Sequence, residues 1–470
     1  MSEIETVIMK FGGSCFVNAE AFGKIKNITD IYKQTKKVYV ASALNGITDM
    51  LVNVTKKADE KDPQALFDLL KNIEKRHMDI ITVIFGKNPE YRNKASHHIR
   101  DRLMELQTAV MEVGEFGLQP YFSDYILSFG EKMSTYLLHL YLEKEGYTSI
   151  FYSGEDLIIT DDNFTDALPD YTYTMNRVRN RITPYLENPS DDTIFCVTGF
   201  IGRNKIGYTT TLGRGGSDFT ATILARAIHE TCKYKSVKVI LWKDVDGILT
   251  ANPKLADNPQ LVSKLNYAEA KELAFFGAKI LHPKCLAAIE KYNIAVEIKN
   301  FSNPLEKVKY SIISAESDAC SLKGISTLDK VAMITVASGA LVSVPGVLGK
   351  IFTLMGDNGI SVSMVAQSSS EVNTTFAVDA EDGDKAVKIL NNDQYIKQWF
   401  TVSAQEVAVL AVVGCQIHNS QNKARIFNAF SKVNLEVQAI AQSSDGINIS
   451  IIVPKDRLKD AVNAINQEFA

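Results

Sequence analysis

The sequence predicts an α/β protein, with a mostly parallel sheet under helices in the first two thirds and two smaller α+β units after it. Three observations point there. Short apolar strands alternate with helical stretches in the first half, the pattern of a parallel sheet with helices on its faces. Between Lys56 and Gly114 strands stop, and Leu66, Leu69, Leu70 and Ile73 recur at helical spacing among charged residues. In the last third, an offset of 75 residues superposes Ala366-Gln367-Ser368-Ser369 on Ala441-Gln442-Ser443-Ser444 without a gap, an internal duplication.

Taken in order, the expected parallel strands are Val7 to Met9, Val38 to Ala41, Ser149 to Tyr152, Ile194 to Val197, Val237 to Trp242 and Ala295 to Ile298. The strandless stretch, about 56–120, is a helical insertion, either a moving lid or lobe or a plain layer packed on the sheet. The same offset pairs Ile351-Phe352 with Ile426-Phe427, Gly339 with Gly414, Val362 with Val437 and Asn373 with Asn448. Each copy reads strand, loop, helix, strand, turn, strand: Val331 to Ala337, Gly346 to Asn358, Ser361 to Ala366 and Asn373 to Val378 in the first. The duplication could regulate, or it could only mediate dimerisation. Its boundary with the first part falls in the polar stretch Ala315 to Thr327.

The chain has 470 residues, enough for about three units at roughly 150 residues each. Its 51 Lys and Arg against 55 Asp and Glu give a net charge of -4, too balanced for nucleic-acid binding by overall field. No apolar run approaches the ~20 residues that span a bilayer. Met1 to Thr6 lacks a basic region and a long apolar run, so a cleaved export signal is not expected. The six cysteines lie far apart without a CxxC, as expected of reduced thiols in a cytoplasmic protein.

Candidate chemistry clusters at strand ends. Val7-Ile8-Met9 runs into Lys10-Phe11-Gly12-Gly13-Ser14, which sets a cation over two glycines whose N–H groups can face an anion. By itself this is as easily a turn, and GxxxxGK[ST] occurs nowhere in the chain. Thr209-Thr210-Thr211-Leu212-Gly213-Arg214-Gly215-Gly216-Ser217-Asp218 is the strongest stretch. Phe219, Thr220, Ile223, Leu224, Ala227 and Ile228 follow at helical spacing, so the glycine loop opens a helix, capped by Ser217 or Asp218. Its N-terminus suits a phosphate or carboxylate, and Arg214 adds a bidentate fork. Trp242-Lys243-Asp244-Val245-Asp246-Gly247 follows another strand, and Lys243 with Lys254 could meet nucleotide phosphates. Phe276 to Pro283 places Lys279 at a helix start, where a cation opposes the dipole unless an anion is present. Ser42 and Thr48 could donate to a carboxylate, and Glu131, after Ser128-Phe129-Gly130, could accept from an ammonium. Singly these residues suit caps or surface; together they suggest a zwitterion beside a polyphosphate.

In this order the motifs resemble those of the aspartokinases, a branch of the amino-acid kinase superfamily, and the duplicated tail resembles their tandem ACT modules. The resemblance covers nearly the whole chain. It implies a three-layer kinase domain at 1–315 and ferredoxin-like ACT modules at 327–400 and 401–470. The second module could be inserted in the first, with the last residues completing the first. The implied activity is ATP-dependent phosphorylation of the β-carboxylate of L-aspartate, with Mg²⁺ arriving on the nucleotide. The resemblance makes Lys10, Asp218 and Lys279 catalytic, with Asp218 orienting Lys10. It gives the substrate Ser42, Thr48, Glu131, Arg214 and Ser217. ATP would meet Lys10, Gly12, Gly13, Ser14, Gly215, Gly216, Lys243, Asp244, Leu249, Lys254 and Lys279. Many relatives carry Thr where this chain has Lys243, Tyr near Leu249, Arg at Lys254 and Thr-Ser at Ser14-Cys15.

Val344-Pro345-Gly346-Val347 and Gln367-Ser368-Ser369-Ser370-Glu371 look more like threonine-responsive members than lysine-sensitive ones. Threonine, lysine or both would then inhibit through Gln367, Gln442, Gly346, Asn358 and Ile360, in a homodimer or higher oligomer joined by its ACT modules. Competing expectations are a kinase of another small carboxylate, a catalytically silent amino-acid sensor, and a bifunctional aspartokinase and homoserine dehydrogenase. No GxGxxG follows the second module before Ala470, so dehydrogenase activity is not expected.

Overall fold

The computed structural model describes residues 5–234, 236–275, 281–304, 309–318, 322–338, 345–368 and 373–469. It divides into two compact units. The first comprises Met1–Ile248 and Leu281–Glu316; the second comprises Leu249–Ile280 and Ser317–Ala470.

In the first unit the strands lie side by side in the order Ser149–Tyr152, Ile194–Thr198, Lys36–Ala41, Thr6–Phe11, Val237–Lys243, Val296–Asn300 and Ser311–Ser314. All neighbours are parallel except the last pair. Strand periodicity sorts their side chains onto two faces. Met9, Phe11, Tyr39, Ala41, Cys196 and Trp242 join one core that also holds Ile73, Ile81, Ile99, Leu103, Leu106 and Leu137 from the helical stretch. That stretch forms the helices Ile47–Asp59, Pro63–Phe85, Pro89–Phe116 and Pro120–Lys144. Because it shares one continuous core with the sheet, it is a packed layer, wider than the 56–120 read from its pattern. Pro at the first turn of the last three helices and the caps Asp62 and Asn88 explain where they break.

Ile8, Val38, Val40, Val239 and Leu241 face the opposite way and are fully buried, with the Gly216–Thr231 helix packed over that side of the sheet. The chain winds toward one edge from Thr6–Phe11 and then crosses to Val237–Lys243 on its other side. A switch of direction opens a crevice at the strands' carboxyl ends, where open α/β sheets bind ligands. A further small sheet, Ile159–Thr160, Ile201–Asn204 and Thr209–Thr211, leads into the glycine loop.

The second unit has an antiparallel six-stranded sheet, ordered Met364–Gln367, Asn373–Asp379, Gly324–Ala337, Thr401–Val413, Asn448–Pro454 and Ala439–Gln442. Its two long central strands are each divided between the repeats. Ala332, Ile334 and Val336 share a core with Ile351, Phe376 and Leu390. Ile325, Ala408, Leu410 and Val412 share another with Ile426, Phe430 and Ile451. The register shift between Leu328 and Val331 marks the crossover. Two expectations differ from this arrangement. Leu458, Ala461, Val462 and Ile465 of the last helix lie in the second repeat's core, so the C-terminal residues do not complete the first repeat. It is the earlier segment around Leu322 and Ile325 that crosses over, because its apolar face continues onto that core. Each repeat also carries a second helix, Gly383–Asn392 and Leu458–Phe469, absent from the pattern reading although Ala386 and Leu390, and Leu458, Ala461, Val462 and Ile465, stand at helical spacing.

The segment 249–280 belongs to this second unit, so the first unit is not continuous to residue 315. Thr250 Oγ1 lies 3.0 Å from Asn466 Oδ1, Asn463 accepts from the Asp257 N–H at 2.8 Å, and Ser326 Oγ donates to the Leu273 carbonyl at 2.7 Å. Alternating strands and helices carry no signal of such an excursion.

Candidate active site

Lys10 and Lys243 end adjacent strands on the face covered by the Gly216–Thr231 helix. Register explains why they converge: Ile8 pairs with Val239 and Lys10 with Leu241, so Lys243 lies one side-chain period beyond Lys10's partner on the same face. Asp218, in the first turn of that helix, meets both. Its Oδ1 is 2.7 Å from Lys10 Nζ, and Lys243 Nζ donates to its Oδ2 at 2.8 Å. All three side chains are at least 85% buried, with exposures of 8%, 7% and 15% for Lys10, Asp218 and Lys243.

Burial, two cations and one anion set the protonation states. Desolvation pulls the Lys10 ammonium below its usual range, with Asp218 resisting and Lys243 reinforcing. Desolvation also opposes the Asp218 carboxylate, but the two ammonium groups outweigh it and hold its carboxyl below the ordinary range. Lys243, less buried, is held above its range because Asp218 overcomes its desolvation. The cluster carries a net single positive charge, and each ammonium keeps donors beyond the carboxylate.

The glycine loop brings the helix end beside this cluster. Gly213 and Gly215 both have φ of 74°, a left-handed conformation that strains other residues. A Cβ on Gly215 would also come within 2.9 Å of His282 Cβ. Gly215 is the N-cap, without a side-chain cap hydrogen bond. The expected cap at Ser217 or Asp218 is therefore corrected. Asp218 lies in the first turn with its carboxylate committed to the lysines, and Ser217 is buried beside Gly199. Arg214 is exposed on the loop. Cys15 is buried as expected, and its Sγ donates to the Trp242 carbonyl at 3.3 Å.

Glu131 enters from the Pro120–Lys144 helix, only 3% exposed. Burial pushes its carboxyl up to about 8, opposed by backbone hydrogen bonding at Ala43 and by the charge of Lys10. Its Oε2 is buried without a hydrogen-bond partner. The same helix fixes the neighbouring loop, since Ser134 Oγ donates to the Ser42 carbonyl at 2.7 Å. Ser42 also donates its N–H to the Phe11 carbonyl, and Thr48 sits in the first turn of Ile47–Asp59. Lys10, Ser42 and Glu131 are thus brought to one end of the sheet. Gly12 lies against Lys10, where a Cβ would meet its Nζ at 3.1 Å; Gly13 follows in the turn and Ser14 is exposed.

Not every expected residue joins them. Leu249 and Lys254 belong to the second unit, with Lys254 exposed, and Asp244 is exposed after the strand in the first. Lys279 lies outside the described residues. The helix it was expected to start begins at Pro283, with His282 accepting from the Lys284 N–H as its cap. Of the effector residues, Gln367 and Gln442 end equivalent edge strands and are exposed, Gly346 and Asn358 cap the Val347–Asp357 helix, and Ile360 is buried.

Asp124 is a positioning residue the motifs did not mark. Fully buried, it accepts from the Thr165 and Thr211 N–H groups at 2.9 and 2.7 Å and from Thr211 Oγ1 at 2.9 Å, anchoring the strand that delivers the glycine loop. A lone Asp inside an apolar helix was its only sequence signal.

Residues 5–300 match the model of the amino acid kinase family. The chain belongs to the amino acid kinase family. In this amino acid kinase, residues 334–394 and 410–469 further match the ACT domain. Bifunctional aspartokinase/homoserine dehydrogenase 1 of Zea mays is 28% identical over 481 residues, covering 98% of this chain and 50% of that protein. Aspartokinase 2 of Arabidopsis thaliana is 29% identical over 480 residues, covering 99% of this chain and 84% of that one. The chain spans about half the length of the bifunctional relatives it matches. E. coli aspartokinase III, solved with aspartate and ADP, matches at a TM-score of 0.81, with 24% identity and 99% of both chains covered. Aspartate kinase of Clostridium acetobutylicum matches at 0.75, with 24% identity over 99% of this chain and all of that one. These structural likenesses establish the amino acid kinase fold and its ACT-bearing tail. No helix among the described residues is long and apolar enough to cross a membrane.

Proposed function

We propose that this kinase transfers the γ-phosphoryl group of ATP to the β-carboxylate of L-aspartate, giving 4-phospho-L-aspartate and ADP. The observation that carries this reading is the buried Lys10–Asp218–Lys243 cluster at the sheet's switch point, with Glu131 nearby holding an unpartnered oxygen. A substrate carboxylate oxygen attacks phosphorus as the bond to the β,γ-bridging oxygen breaks. The nucleophile is already an anion, so no proton moves and the protein's task is positioning and charge neutralisation. Lys10 neutralises the transferring group, with Lys279 as a further cation, and Asp218 fixes Lys10. Glu131 accepts from the substrate ammonium, Arg214 grips its α-carboxylate, and Ser42, Thr48 and Ser217 hold its reacting end. Gly12, Gly13, Ser14, Gly215 and Gly216 offer backbone donors to ATP, whose nucleotide side meets Lys243, Asp244, Leu249 and Lys254.

Mg²⁺ would arrive bound to ATP, with few protein ligands of its own. The names of the relatives, aspartokinases among them, support the choice of substrate. The enzyme is placed in the cytoplasm as a homodimer or higher oligomer through its ACT modules. There it opens a route from aspartate to lysine, threonine and methionine, inhibited by threonine, lysine or both at Gly346, Asn358, Ile360, Gln367 and Gln442.

An assay with aspartate, ATP and hydroxylamine tests the reading, because an acyl phosphate is trapped as aspartyl hydroxamate. No hydroxamate above a no-enzyme control would refute it; millimolar threonine or lysine in the same assay should lower the yield.

Glu131 supplies a pH prediction. In the empty site its carboxyl holds a proton up to about pH 8, and binding an ammonium expels that proton. The KM for aspartate should therefore fall as pH rises toward 8, by up to about tenfold per unit, and level off above. Glu131→Gln should raise KM and flatten the slope. Since the unfolded carboxyl loses its proton near pH ~4, this residue also destabilises the empty protein as pH rises from there through 8. Urea melts should show that trend in the wild type and a weaker one in the variant.

Lys243 gives another. Lys243→Thr restores the residue of many relatives and removes one charge from the cluster. It should raise the KM for ATP ~10-fold or more, the scale of about 1.5–3 kcal/mol for one charged contact, and make that KM less dependent on salt. Unchanged ATP kinetics would remove Lys243 from the nucleotide site.

A further inference from the structure

The glycine loop carries Arg214 between two bracing segments of the first unit. On one side a Cβ at Gly213 would run into Asp166 Oδ1 and come within 3.2 Å of the Thr165 carbonyl; on the other a Cβ at Gly215 would meet His282. An ion pair joins the two braces: Lys284, two residues past His282, holds its Nζ against Asp166 Oδ1. These partners are 118 residues apart in sequence, so only the fold brings them together. Their side chains are 28% and 55% exposed for Lys284 and Asp166. A pair so open to water adds little to folding stability, which leaves its place beside Arg214 to be explained.

Both partners are set in place by their surroundings. Thr165 has φ of 70°, a left-handed conformation that is costly for a β-branched residue. Its N–H donates to the buried Asp124, and the Ala167 N–H donates to the Thr211 carbonyl at 2.9 Å, so Asp166 is fixed from both neighbours. Lys284 sits in the first turn of Pro283–Ile289, where a cation opposes the helix dipole, and Asp166 supplies the counter-charge that the helix does not. With Asp166 engaged by Lys284, the exposed Arg214 beside it is left to an anion from outside.

We propose that Lys284 and Asp166 are positioning residues whose ion pair straps the glycine loop and holds Arg214 where it grips the substrate's α-carboxylate. Neither side chain touches the substrate; both act through the loop they brace. With the strap broken, the left-handed pivots Gly213 and Gly215 on either side of Arg214 are free to swing, and the guanidinium spends less time in its binding position. The loss falls on substrate binding rather than on phosphoryl transfer, because Lys10 keeps its own ion pair with Asp218. The role given to Arg214 rests on the proposed function; the strap itself does not.

Steady-state hydroxamate kinetics and amide hydrogen exchange of the full chain test this on Lys284→Met, Asp166→Asn, their double variant and Lys284→Arg. Either single change should raise the KM for aspartate about 3–5-fold, the scale of one half-exposed ion pair, with kcat and the KM for ATP nearly unchanged. The double variant should cost no more than one single change, because both remove the same contact, and Lys284→Arg should keep the wild-type KM. Peptides spanning Thr211–Ser217 should exchange faster by the same factor in both single variants, while the strands of the large sheet keep their protection. Unchanged loop exchange, an unchanged KM in a variant whose loop exchanges faster, additive losses in the double variant, or a lower KM in Asp166→Asn would each overturn the proposal. The exchange measurement needs no turnover, which keeps the two claims apart. Hydroxamate from every variant without faster loop exchange refutes the strap alone, and faster loop exchange in a protein whose wild type makes no hydroxamate refutes the kinase reading alone.

Discussion

Lys10→Ala should lower turnover at least ~100-fold, the scale for losing one preorganised charge partner of a transition state. That factor corresponds to about 2.7 kcal/mol of barrier. The side chain is held at its strand's carboxyl end by a 2.7 Å ion pair, already desolvated before substrate arrives. It therefore has little reorganisation left to make during the reaction. The fold should tolerate the change, because Asp218 keeps Lys243 as a partner at 2.8 Å and no buried charge is stranded. Steady-state hydroxamate kinetics should show the loss in kcat, with the KM for aspartate nearly unchanged. Lys243 should also supply part of what remains: adding Lys243→Thr to Lys10→Ala should cost more than the two single effects combined. Near-normal turnover in Lys10→Ala would remove Lys10 from the mechanism.

Asp218→Asn should damage both stability and turnover. The amide is nearly the same shape, but it leaves two buried ammonium groups facing each other without a counter-charge. Removing one partner of a buried ion pair typically costs about 3–5 kcal/mol. Folded-state lysine values are then depressed, so the folded protein binds fewer protons than the unfolded chain between the two values. The deficit should accordingly shrink as pH rises toward ~10. Urea melts at several pH values would measure this. Adding Lys243→Thr separates the two roles of Asp218, since it removes one stranded cation. The double variant should recover stability yet remain slow, because Lys10 still lacks the group that aims it. Recovery of turnover along with stability would make Asp218 a structural counter-ion only.

Much of the site was legible because its parts are local. Lys10 precedes two glycines at a strand end, and Gly213 to Asp218 combine turn, fork and helix start within six residues. What could not be read is how those pieces share partners. Asp218 looked like a cap, but the cap is Gly215, because a carboxylate flanked by two buried ammonium groups gains more from them than from its own helix N–H groups. Lys243 read as a nucleotide-side cation, but its ion pair with that carboxylate was not legible, a consequence of register between strands more than 200 residues apart in sequence. Asp124 showed no motif at all, since its partners at Thr165 and Thr211 lie 41 and 87 residues away.

The same division holds for the fold. Alternating strands and helices, the helical run after Lys56 and the 75-residue repeat follow from local periodicity and self-similarity, so the sequence by itself determined the sheet, its helical layer and the duplicated tail. Tertiary structure alone decided that residues 249–280 join the repeats, that Gly324–Ala337 and Thr401–Val413 each serve two cores, and that only one copy of a duplicated asparagine, Asn448, is buried beside a carboxylate, that of Glu272. The physical reason is that periodicity states which face of an element is apolar, whereas only packing states which core that face enters and which distant charges meet there.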